Sequence, residues 1–121
     1  MAFNYALFVK HPDPEYLTFN PDFVNEEVGI TGYATAYMDT IGELGTELAT
    51  RISASETDGT FTLHTEDPTV CVVERRWSSI EAATSWITTV ASVHQSTGAP
   101  LPLEAKVVDL ATQEETIIYP A

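Results

Sequence analysis

The stretch Thr69-Val70-Cys71-Val72-Val73-Glu74-Arg75-Arg76-Trp77-Ser78 constrains this chain more than any other. An apolar run from Val70 to Val73 predicts a strand buried on both faces. Ser78 with Glu81 three places later has the form of a capping box, so a helix should follow at once. Ile80, Ala83, Trp86, Ile87, Val90 and Val93 then recur at three- and four-residue steps, one apolar stripe along that helix. Gly98, Pro100 and Pro102 end it. A central strand running straight into an amphipathic helix predicts an α+β fold.

A chain of 121 residues holds one core, and 1–121 reads as a single α+β domain. No apolar run approaches the roughly 20 residues that span a bilayer, and the amino terminus lacks the pattern of a signal peptide. The expectation is a soluble cytoplasmic protein, or a virion-associated one if viral. Cys71 is the one cysteine, set among valines that should desolvate its thiol; it is not expected to act as a nucleophile.

Charge excludes one class of partner. Eighteen acidic residues face five basic ones, a net charge of −13 that repels nucleic-acid phosphates. The acids are spread along the chain rather than gathered in a tract, which fits a solubilising shell ahead of an acidic inhibitor that mimics nucleic acid.

In chain order, Phe3 to Val9 predicts a first strand, stopped by His11-Pro12-Asp13-Pro14. Tyr16 to Phe19 can return as a short hairpin partner, and Asn20-Pro21-Asp22 has the form of a helix start. Tyr33 to Leu48 fits a helical stripe better than a strand, although Gly42 and Gly45 oppose the helix and Tyr33, Thr35 and Tyr37 alternate. Leu48 to Ser55 alternates as a strand, and Thr57-Asp58-Gly59-Thr60 as a hairpin turn leads into Phe61 to His64. Lys106 to Leu110 and Thr116 to Tyr119 close the chain as a strand pair.

That order follows the ferredoxin-like βαββαβ pattern, an antiparallel sheet with helices on one face and added β-hairpins. The junction Val73-Glu74-Arg75-Arg76-Trp77-Ser78-Ser79-Ile80-Glu81-Ala82 resembles the "E-x-W-x-S-x-E-A" phrase of dimeric α/β-barrel proteins, the antibiotic-biosynthesis-monooxygenase-like group. In that group two ferredoxin-like sheets pair into a barrel, and some members oxidise small aromatics or degrade haem. The resemblance implies Asn4 and Trp77 as site residues if the chain is an enzyme. His94 lies farther from Trp77 than the haem-degrading branch would place its ligand, and a histidine in the last turn of a helix is suited, when protonated, to the macrodipole.

No other motif carries chemistry. His11, His64 and His94 lack metal-ligand spacing, so no metal and no cofactor are expected. Glu26-Glu27 and Glu114-Glu115 read as solvated surface, the glycines match no phosphate-cradling pattern, and one of Arg75 and Arg76 should bridge to a nearby acid. The expectation is a non-enzymatic binding or structural-assembly protein, an accessory component of a bacterium or virus that forms a homo-oligomer and engages neither nucleic acid nor membrane. The alternative is a cofactor-independent monooxygenase-like enzyme.

Overall fold

The computed structural model describes residues 3–25, 30–34, 37–64 and 67–120 and, outside 19–36, their side chains. Alternating residues Leu7, Val9 and His11 turn one face of the first strand, β1 (Tyr5–His11), into the interior. Two strands, β2 (Thr18–Asn25) and β3 (Ile30–Ala34), pair with each other as an antiparallel ribbon. Helix α1 (Met38–Ser53) follows, then β4 (Thr57–His64), β5 (Cys71–Trp77), helix α2 (Ile80–Thr97), β6 (Glu104–Asp109) and β7 (Glu115–Tyr119).

The main sheet has the order β4-β5-β1-β6-β7, and each neighbouring pair is antiparallel. With the β2–β3 ribbon and β7 set aside, the order is that of the ferredoxin-like fold. Both crossovers carry a helix, and both helices cover the same face. Leu7, Val9, Trp77, Ala105 and Val107 of the sheet pack there against Leu44 of α1 and Ala83, Trp86, Ile87 and Val90 of α2. A second cluster of Tyr16, Leu17, Cys71 and Val73 continues that core beneath Tyr37 and Ile41.

Several local expectations are corrected. Tyr33 and Ala34 end β3, so the helix expected from Tyr33 begins at Met38; it then runs through Ser53, across the stretch that alternates as a strand. Threonine and serine alternate with apolar residues there, yet Leu44, Leu48 and Arg51 also repeat at helical steps, and that pattern wins. Asn20-Pro21-Asp22 lies inside β2 and starts no helix. A two-stranded ribbon is all edge, so proline is tolerated, and the pairing shifts register between Phe19 and Val24 around it. Tyr16 to Phe19 supplies no hairpin partner to β1, whose neighbours are β5 and β6.

Thr57-Asp58-Gly59-Thr60 is no hairpin turn either. It lies within β4, where Gly59 at φ 83° marks an irregularity between the Thr57 and Phe61 pairings. The chain reverses just before it, at Ser55 with φ 59°. The cap of α2 is Ser79 and not Ser78: its side chain accepts from the backbone N–H of Ala82 at 3.0 Å. Gly98, left-handed at φ 82°, ends the helix with its N–H and that of Ala99 on the His94 carbonyl. Among the described residues no helix is long and apolar enough to cross a membrane.

Candidate functional site

Strand parity carries polar groups into the helix-covered face. On β1 the positions after Leu7 and Val9 bring His11 inward, opposite Cys71 of β5. On α2 the stripe through Ala83, Ile87 and Val90 places His94 one turn further on, fully buried. The two imidazoles stack with centroids 5.4 Å apart. Tyr16 lies flat on His11 at 3.8 Å and stacks on His94 at 5.3 Å. Tyr37, 5.8 Å from Tyr16, donates its hydroxyl proton to Asp13 Oδ2 at 2.6 Å.

Burial settles the protonation of this cluster. It pulls His11 down to about 3, with His94 adding repulsion, and it lowers His94 as well. His94 Nδ1 lies 2.6 Å from the Val90 carbonyl, which only accepts, so Nδ1 bears the proton and Nε2 is left as an unpartnered acceptor. His11 Nδ1 is also buried without a partner. His94 is therefore a neutral core histidine, where its place in the last turn had suggested a protonated, dipole-facing one. Burial also raises the Tyr16 phenol and, as the largest effect, the Cys71 thiol. The imidazole rings lie face to face, so their in-plane lone pairs do not converge. Among the described residues no group of three His, Cys, Asp or Glu side chains is placed to hold a metal.

Arg75 occupies the same face, opposite Leu7 on β1 and Phe61 on β4. Its guanidinium carbon lies 5.4 Å from the Phe61 ring and 5.7 Å from the Trp86 ring. Arg51 of α1 approaches Trp86 as well, at 5.3 Å, and is held by Glu47 at 3.0 Å and Thr89 at 2.8 Å. Among the described residues Arg75 has no such holder: its Nε is buried and unpartnered, and desolvation pulls the group down to about 10 against the opposing pull of Tyr16 and Asp58. Nearby, a cleft of about 200 Å³ opens between the start of α1 and the end of α2, its hydroxyls of Thr40 and Thr97 bonded at 2.5 Å. That is below the roughly 300 Å³ at which small-molecule sites begin.

The opposite, outer face of the sheet has a different chemistry. Its paired positions join Lys10 with Glu104 and Val72, Phe8 with Lys106 and Glu74, and Ala6 with Val108 and Arg76. Glu74 accepts from Arg76 at 3.0 Å and meets His64 at 2.8 Å; Lys106 pairs with Glu115 at 3.0 Å and lies over Phe8. Three of the five basic residues, Lys10, Arg76 and Lys106, thus stand with three acids, Glu74, Glu104 and Glu115, around Phe8, Val72 and Val108. At these positions acids and bases balance three against three, and the rest of the molecule carries the whole −13.

The residues singled out in the sequence are spread across the fold. Trp77 is fully buried, its ring 5.6 Å from Trp86 and its Nε1 unpartnered, whereas Asn4 is exposed just before β1 and gives its carbonyl to the Leu110 N–H. Arg76 does bridge to an acid. Cys71 is buried with its sulfur 3.8 Å from the Leu17 carbonyl, and Glu26-Glu27 lie outside the described residues. The cluster of His11, Tyr16, Arg75 and His94 was not foreseen. Its signal was parity: His11 shares the register of Leu7 and Val9, Arg75 that of Val73 and Trp77, and His94 the stripe of Val90. No protein-family model, curated protein or solved structure matches the chain.

Proposed function

We propose that this protein is a non-enzymatic binding or assembly protein that self-associates through the outer face of its sheet. The observation that carries the proposal is the charge balance of that face. Two bodies of net charge −13 repel least on an approach that brings their charge-balanced surfaces together. The face also carries apolar side chains, Phe8, Val72, Val108 and the exposed Ile117, between its ion pairs. A two-fold pairing presents the same apolar side chains and ion pairs from both sides of the contact. Light scattering at micromolar concentration should give a dimer or higher oligomer. Phe8→Glu and Ile117→Glu should give monomers with unchanged circular dichroism. A monodisperse wild-type monomer would overturn the proposal.

A second reading is favoured by the buried polar groups between sheet and helices. It takes the chain for a cofactor-independent monooxygenase-like enzyme of the dimeric α/β-barrel group, in line with the Val73–Ala82 junction. Haem and small aromatic ligands titrated against Trp77 fluorescence test it. Saturable micromolar binding that is lost in Asn4→Ala would favour the enzyme over assembly.

A further inference from the structure

Arg75 holds its Nε buried without a hydrogen-bond partner. Glu74 and Arg76, its neighbours on β5, point to the outer face and bond each other there. The ion pairs of the described residues engage Arg51, Arg76, Lys106 and His64, and none includes Arg75. Its Nε is sealed from solvent without a partner, although the side chain as a whole is half-buried and keeps a route outward. In a chain with eighteen carboxylates and five basic groups, no acid among the described residues pairs with this cation. Desolvating a charge without a counter-charge is unfavourable, and a methionine or leucine would fill the same space between Phe61 and Trp86 at lower cost.

We propose that Arg75 anchors a binding site for a small monoanionic carboxylate. The guanidinium lies over the Phe61 and Trp86 rings, so its N–H edge is what remains to be satisfied. A carboxylate in the plane of that edge accepts two parallel hydrogen bonds, a fit that a spherical anion does not reproduce. The charge of the ligand is limited as well. Asp58 already acts on Arg75 and the chain carries −13, so one arginine holds a monoanion in preference to a phosphate dianion. The site is on the helix-covered face and does not depend on association through the outer one.

Trp86 beneath Arg75 serves as the reporter. The full chain is titrated with benzoate, with sodium chloride and inorganic phosphate at matched ionic strength as comparisons. Benzoate should give a saturable change in tryptophan fluorescence, and phosphate should bind at least about tenfold more weakly, a difference of roughly one lost bidentate contact. Arg75→Met should abolish the response while melting at the same or a higher temperature, because an uncompensated charge has gone. Arg75→Lys, which keeps the charge and loses the fork, should weaken binding about tenfold and guards against a methionine variant that fails to fold. No saturation with benzoate, an equal response in Arg75→Lys and wild type, or phosphate binding as tightly as benzoate would each overturn the proposal.

Discussion

The sharpest consequences at the scale of single residues come from the buried imidazoles. An unfolded histidine titrates near 6.5, and folding pulls His11 down to about 3, first by burial and then by the nearness of His94. The folded state therefore binds fewer protons than the unfolded chain between those values. Its stability is complete above pH 6.5 and falls as the solution is acidified. His11 alone should remove about 2 kcal/mol between pH 7 and pH 5, and His94, lowered for the same reason, acts in the same direction. Urea midpoints over that range should fall in the wild type and flatten in His11→Phe; equal slopes in the two proteins would show that His11 is not buried neutral. Trp86, 4% exposed under Arg51 and Arg75, should cost about 3–5 kcal/mol when cut to alanine. A denaturation midpoint close to wild type in that variant would contradict the packing. Trp86 was legible because its neighbours on the stripe are apolar too. Arg75, His11 and His94 were not, because each is a polar residue at an inward position, and composition argues for solvent where geometry dictates the core.

Elements were legible where independent signals agreed. For α2 the apolar stripe, a serine cap and the Gly98 stop coincide, and only the choice between Ser78 and Ser79 was missed. For α1 they conflict: Gly42 and Gly45 weaken the helix, no side chain caps it, and the alternation after Leu48 suggests a strand. Packing against α2 and β4 decides the matter, and packing cannot be read locally. Gly59 was misplaced for a related reason. Asp-Gly favours positive φ, but positive φ serves an irregular strand as well as a turn. Its side-chain-free face is required by α1, since a Cβ there would lie 2.6 Å from Ile52 Cδ1. Gly98 has a nearly identical φ with nothing within 4 Å, which makes it a control. Gly98→Ala should cost about 1 kcal/mol from backbone conformation alone. Gly59→Ala should cost a further ~1–3 kcal/mol from the overlap with Ile52. Chemical denaturation of both variants measures the difference, and equal losses would mean that Ile52 swings clear of the strand.

Charge governs the behaviour of the whole molecule. Five basic groups cannot neutralise eighteen carboxylates, and two of the five, Arg76 and Lys106, are already engaged on the outer sheet face with Glu74 and Glu115. The remaining surface is left with uncompensated negative charge whose self-repulsion opposes the compact state. At about 0.1 M salt the screening length shrinks to ~10 Å, shorter than the span of such a domain, so distant carboxylates cease to repel. The melting temperature should therefore rise from dilute buffer to moderate sodium chloride, as scanning calorimetry would show; a flat or falling trend would mean that local ion pairs outweigh the net charge. Association follows the same physics but separates two causes. If two copies meet through their charge-balanced, partly apolar faces, salt screens the repulsion between the bodies behind them and strengthens the dimer. If the exposed Lys106–Glu115 and Arg76–Glu74 pairs exchanged partners between copies and drove the contact, salt would weaken it. We expect the first result: sedimentation at a series of salt concentrations should give an association constant that grows with ionic strength up to moderate salt.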